Sequence, residues 1–146
     1  MNKEIQQAPG ESAYSGGLAC VLKFFYALDV RDHEAAAAMM APDGIWHRQG
    51  VALKGQAAIL EALARRPANR RTCHIITNFR ILQAGLKHAE AAFYLTAYEG
   101  TLAAEAGNGS EGLRLLAIRD CRDSLTLTPG GWRIAEKRSN RHLPPE

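Results

Sequence analysis

The chain has 146 residues, 47% of them hydrophobic and 23% charged, with a net charge of +3 at neutral pH. That length suffices for one domain with a sizeable core, and the composition excludes a disordered chain or a repeat array. No apolar run approaches the roughly 20 residues of a membrane helix. With two Trp, four Tyr and four Phe, mostly in apolar patterns, the mild basicity lacks the aromatic interleaving of a nucleic-acid binder.

Residues 1–10 read as a flexible N-terminal arm, and residues 11–146 as a single domain. The arm has neither an apolar core nor a cleavage-like end, so no secretory signal is expected. The three cysteines, Cys20, Cys73 and Cys121, are widely spaced and odd in number. That pattern points to a reduced, cytoplasmic protein, with Cys73 and Cys121 expected in the core.

From about Ser12 to Leu28, apolar residues recur at helical spacing: Leu18, Val21, Leu22, Phe25 and Leu28. Gly16-Gly17 is a candidate for delaying the helix start. Asp32 is placed to cap a second helix, HEAAAAMM, which Pro42-Asp43-Gly44 should end as a turn. GIWHRQGVALKG suits a β-hairpin meeting near Gly50, and GQAAILEALARR a third helix closed by Pro67. Four long strands follow, over Arg71–Ala84, His88–Glu99, Leu113–Thr128 and Trp132–Arg141, with a mobile tip expected at AGNGSEG. Helices first and then an antiparallel meander predict an α+β fold, a curved sheet with helices on its concave face. Such a sheet encloses a pocket, the default site for a small ligand.

Chemistry-bearing residues cluster on CHIITNFRI, residues 73–81. Strict strand alternation puts His74, Ile76, Asn78 and Arg80 on one face, and Cys73, Ile75, Thr77, Phe79 and Ile81 on the other. His74 is a candidate general base, because imidazole titrates near neutrality and a carboxylate can fix its tautomer; the alternative is a structural histidine with a satisfied hydrogen bond. Asn78 is a candidate for a substrate carbonyl or hydroxyl, and Arg80 for a solvent or ion-pair role. On the last strand, alternation groups Trp132, Ile134, Glu136, Arg138 and Asn140, which makes Arg138 either a cation at the pocket mouth or part of a surface salt bridge. Trp46 and His47 point to opposite faces, and the sequence leaves open which one lines the pocket. Tyr94, Thr96 and Tyr98 offer hydroxyls or packing. The histidines and cysteines show no paired metal-ligand spacing, and there is no phosphate-binding glycine loop, so neither metal nor cofactor is expected.

Four stretches carry a resemblance: FFYALDVRDHEAAAAMMAPDGIW, LKGQAAILEALARR, RRTCHIITNFRI with its His-x-x-x-Asn core, and CRDSLTLTPGGWRIAEKR. In order and spacing, over roughly residues 18–141, they resemble the SnoaL-like enzymes, which share the cone-shaped α+β fold of nuclear transport factor 2. The resemblance implies a pocket for a small hydrophobic molecule, and the exposed outer face of a curved sheet predicts a homodimer. In dehydrochlorinase- and dehydratase-like members, a carboxylate ending the first helix orients a histidine on the central strand, and the imidazole removes a proton beside the leaving group. Asp29 and His74 match those positions, although Asp29 and Asp32 compete for the capping role. Bile-acid dehydratase-like members carry a tyrosine five residues before the carboxylate, where this chain has Phe24. Tyrosine-assisted dehydration would then need Tyr26 or Tyr14. The resemblance implies a cofactor-independent lyase or isomerase; the alternative is a non-catalytic ligand-binding or accessory subunit, like the small subunits of ring-hydroxylating dioxygenases.

Overall fold

The computed structural model describes residues 8–101 and 112–145. Three helices, α1 (Pro9–Asp29), α2 (His33–Ala38) and α3 (Gln56–Ala64), pack on a curved six-stranded sheet. Its strands are β1 (Met40–Arg48), β2 (Val51–Lys54), β3 (Arg70–Ala84), β4 (His88–Thr101), β5 (Arg114–Thr128) and β6 (Gly131–Leu143). Their spatial order is β2-β1-β6-β5-β4-β3, with β2 and β3 as the edges of an unclosed sheet. The expected meander is present as antiparallel β3 through β6. The sheet is mixed rather than wholly antiparallel, because β1 runs parallel to β6. Strands so far apart in sequence can pair in either direction, and the hairpin argument does not constrain them.

Three local expectations are corrected. Helix α1 starts at Pro9, whose missing N–H costs nothing in a first turn, so Pro9 and Gly10 belong to the helix; residues 1–7 of the expected arm lie outside the described residues. Gly16 and Gly17 do not delay it. They lie against the sheet, where a Cβ on Gly16 would overlap Trp132 Cδ1 and one on Gly17 would come within 2.5 Å of Leu125 Cδ1. Helix α2 ends sooner than HEAAAAMM implies, and Pro42, Asp43 and Gly44 lie within β1, where its register with β6 breaks. Most of AGNGSEG also falls outside the described residues.

The core lies between α1 and the inner face of the sheet. Val21, Phe24 and Leu28 of α1 pack with Phe93 of β4, Leu125 of β5 and Ile134 of β6. Phe79 joins from β3, stacked on Phe93 at 6.0 Å between ring centroids.

Two bulges decide which side chains face inward. Thr77 pairs with Tyr94 and Arg80 with Ala92, so Asn78 and Phe79 together oppose Phe93. Asn78 takes the left-handed conformation (φ 54°), which Asn tolerates better than most residues. On β6, Ser124 pairs with Glu136 and Leu125 with Ile134, which leaves Ala135 as the extra residue. A one-residue insertion reverses every side chain beyond it. The inner face of β3 is therefore Thr72, His74 and Ile76, then Phe79 and Ile81. The inner face of β6 is Trp132 and Ile134, then Lys137 and Ser139.

Candidate functional site

Asp29 ends α1, and the chain then turns through Val30 and Arg31 (φ 61°). Asp32 takes the capping role, its Oδ1 accepting from the Ala35 N–H at 3.1 Å. Asp29 is thereby free to reach across to β3. Its Oδ1 lies 2.6 Å from His74 Nδ1, and Oδ2 accepts the His74 backbone N–H at 2.9 Å. Thr72 Oγ1 donates to Asp29 Oδ1 at 2.9 Å and accepts from Arg66 Nη2 at 3.1 Å. Arg66 also donates to the Leu28 carbonyl at 3.0 Å. One carboxylate thus fixes both backbone and ring of His74, and a guanidinium backs it through a hydroxyl. Two hydrogen bonds to one residue leave the imidazole little rotational freedom, the arrangement a general base needs.

His74 lines a cavity of about 270 Å³ together with Phe25, Leu28, Trp46, Leu63 and Leu95. The ring of Phe25 lies 5.2 Å from that of His74. The Lys137 ammonium sits 4.6 Å from the Phe25 centroid, 4.9 Å from Phe24 and 5.3 Å from Phe93. Lys137 lines the same cavity and bonds Asp123 Oδ2 at 2.6 Å. Asp123 is fully buried and Lys137 3% exposed. Burial pushes the Asp123 carboxyl above its ordinary range, opposed by the Lys137 ammonium. Asp123 Oδ1 has no hydrogen-bond partner. An ammonium held by one carboxylate oxygen and three aromatic faces is a fixed positive charge on the wall of the cavity that His74 also lines.

The other expected site residues divide. Trp46 faces inward, edge-on to Phe24 at 5.3 Å, while His47 turns to Glu136 at 2.7 Å. Phe24 is fully buried in the core and does not line the cavity. Asn78 is exposed at its bulge, its carbonyl accepting from Arg80 Nε at 3.1 Å, and does not reach the cavity. Arg138 lies on the outer face, ion-paired with Glu136, because the Ala135 bulge gives the inward position to Lys137. Tyr26 is 67% exposed on α1, and Tyr14 packs edge-on against Phe79. Tyr94 is on the outer face, stacked on His142 at 5.0 Å. No tyrosine lines this cavity among the described residues. Cys121 is buried as expected, but Cys73 is exposed.

Lys137 and Asp123 were not among the expected site residues. Asp123 carried a signal: Cys121, Asp123, Leu125 and Leu127 alternate along β5, and an acid inside an apolar row needs a buried partner. Lys137 carried none, since alternation from Trp132 puts it outside. Among the described residues no group of His, Cys, Asp or Glu could hold a metal ion, and no helix is long and apolar enough to cross a membrane.

A concave sheet roofed by helices over a cavity, with a histidine held by a helix-terminal carboxylate, defines a small α+β pocket protein. The family model of the SnoaL-like domain matches residues 19–138, and the chain belongs to that family. No functionally curated protein matches it. Among solved structures, a Catenulispora acidiphila protein in complex with S-DNPA is 22% identical, with 90% of this chain and 94% of that one covered at a TM-score of 0.73. Aln2 from a Streptomyces species is 17% identical, with 92% and 94% covered at 0.75. A nuclear transport factor 2-like protein with a cystatin-like fold from Novosphingobium aromaticivorans is 17% identical, with 92% and 84% covered at 0.74. At these identities the likeness shows the fold.

Proposed function

We propose that the protein is a cofactor-independent lyase or isomerase acting on a small, largely apolar molecule, with His74 as general base and Asp29 as its orienting carboxylate. The observation that carries this reading is the double hold of Asp29 on His74, through Nδ1 at 2.6 Å and the backbone N–H at 2.9 Å. With Nδ1 engaged by Asp29, Nε2 is the nitrogen that takes the proton from substrate carbon. Lys137, on the same cavity, balances the negative charge that develops on the substrate oxygen or leaving group. The complex of a Catenulispora acidiphila protein with S-DNPA supports a small molecule as the ligand class. The protein acts in the cytoplasm as a homodimer. Ile75 and Leu115, both on the outer sheet face, are 44% and 51% exposed, which leaves apolar surface for a second copy; a strictly monomeric sedimentation profile at micromolar concentration would rule that out.

The test is deuterium exchange at carbon acids, followed by NMR over a panel of small cyclic ketones and β-hydroxy carbonyl compounds. The native protein exchanges or eliminates at least one of them. His74→Gln abolishes this while keeping its circular dichroism and melting temperature near native, and Asp29→Asn lowers the rate by about 10²-fold or more. Binding without exchange or elimination by the native protein would favour the non-catalytic ligand-binding alternative. Full activity of His74→Gln would eliminate the dyad.

A further inference from the structure

The cavity wall is strongly one-signed. Arg48, Arg66, Arg70, Arg119 and Lys137 line it, and no carboxylate does among the described residues. Lys137 is matched by Asp123, and Arg70 by Glu99 at 2.8 Å. Arg66 gives two of its five N–H groups to the Leu28 carbonyl and Thr72, and Arg119 two to Ser139. Arg48 lies over the Trp46 ring at 5.2 Å and has no carboxylate partner among the described residues. A second cavity of about 360 Å³ adjoins the first, and the two share Arg48, Gln49, Arg66 and Arg70 as a common wall. It has no carboxylate in its lining either and adds Arg65. His74, Lys137 and Cys121 belong to the first cavity only. The first cavity thus carries His74, Lys137, Phe25 and Trp46, and the arginines stand where the two cavities meet.

We propose that the arginines at this junction, Arg48, Arg66 and Arg70, bind a carboxylate on the substrate, separate from the carbon that His74 deprotonates; the placement of the reacting carbon rests on the dyad reading above. Guanidinium groups present paired N–H donors that match the two oxygens of a carboxylate. Their clustering has a cost that an anion removes. Burial and the guanidiniums of Arg70, Arg48 and Arg31 push Arg66 down to about 10, and burial with Arg70 lowers Arg48. Arg70 is offset by Glu99, but Arg48 and Arg66 form no ion pair among the described residues, and an anion entering this partly closed space relieves their mutual repulsion. The ligand class that follows is an aromatic or alicyclic acid whose ring packs on Trp46 and Phe25.

The test measures binding of matched pairs to the full-length protein by titration calorimetry and by NMR of the arginine Nε–H signals. The panel runs from benzoate to 2-naphthylacetate, each member paired with its primary amide and a matched phosphate monoester. At low salt, at least one acid binds about tenfold or more tighter than its amide, and the preference shrinks as salt rises. Arg48→Gln removes most of the preference with an unchanged melting temperature, since Arg48 makes no described hydrogen bond whose loss would unfold the chain. His74→Gln keeps the preference, which separates this proposal from the dyad: loss of exchange with retained acid binding supports the subsite, while exchange without acid preference supports the dyad alone. Equal binding of acids and amides, no binding of any acid, or tighter binding of the phosphate esters would overturn the carboxylate assignment.

Discussion

Lys137→Met isolates the buried charge. Methionine keeps an unbranched chain beneath Phe24, Phe25 and Phe93 and removes only the ammonium. Asp123, fully buried, then loses its one hydrogen-bonding partner, for Oδ1 has none. Stripping one member from a buried pair costs about 3–5 kcal/mol. A second route gives a similar figure. An unpaired carboxylate at this depth folds protonated, and protonating it at pH 7 from an ordinary pKa of about 3.9 costs about 3.1 units at roughly 1.36 kcal/mol each, or about 4 kcal/mol.

The two routes share a pH signature. In the variant the native state holds a proton on Asp123 that the unfolded chain releases above about pH 4, so native binds more protons than unfolded and stability falls as pH rises. Urea unfolding at pH 4.5 and pH 7 should show a deficit relative to the native protein that grows by about 3 kcal/mol between them. Lys137→Met with Asp123→Leu should recover most of the loss, because an apolar pair of similar volume needs no desolvation. A deficit below about 1 kcal/mol at pH 7, independent of pH, would refute the reasoning, since it would mean that the pair enters the fold uncharged.

The packing of α1 on the sheet makes Gly16→Ala destabilising by about 1–3 kcal/mol, because Trp132 is buried and tied to Ser12 Oγ at 3.1 Å and cannot swing away; a thermal melt reads it as a drop of several degrees. The left-handed Asn78 predicts that Asn78→Gly is tolerated while Asn78→Val costs about 1–2 kcal/mol or more, read from paired urea titrations. Burial pushes the Cys20 thiol up to about 11 and Cys121 up to about 12, whereas Cys73 is exposed, so a thiol reagent at pH 8 should label Cys73 alone in the native protein and all three cysteines in denaturant. Rapid native labelling of Cys121 would mean that the cavity opens far more widely than its geometry allows.

The α+β order, the helix over 12–28, the third helix and the four long strands were legible, because hydrophobic period and turn residues report directly on local structure. The approach of Asp29 to His74 was legible too, through the resemblance rather than through spacing: 45 residues separate them, and periodicity says nothing across that distance. What failed was alternation carried too far. A period of two holds only until one residue is inserted, and the strands that bring His74 and Lys137 to the cavity, β3 and β6, each contain such an insertion. Asn78 and Arg80 on β3, and Glu136 and Arg138 on β6, were grouped with inward residues for this single reason. A left-handed Asn in a strand leaves a faint trace in sequence; the Ala135 bulge leaves none.

The same two bulges explain how one sheet serves both a core and a site. Beyond Asn78, β3 meets α1 with Phe79 and Ile81; before it, the strand meets the cavity with His74. Continued alternation would have pressed Asn78 and Arg80 against the aromatic core at a desolvation cost no nearby partner offsets. On β6 the order is reversed. Trp132 and Ile134 pack under α1, the bulge intervenes, and Lys137 and Ser139 face the cavity while Glu136 joins His47 and Arg138 outside. Had β6 kept strict alternation through Ala135, Glu136 would point inward and bring a carboxylate among the cavity's arginines. The Ala135 bulge therefore sets the sign of the cavity as well as its shape. It puts a lysine in place of an acid on the cavity wall, and on that exchange the charge stabilisation assigned to Lys137 depends.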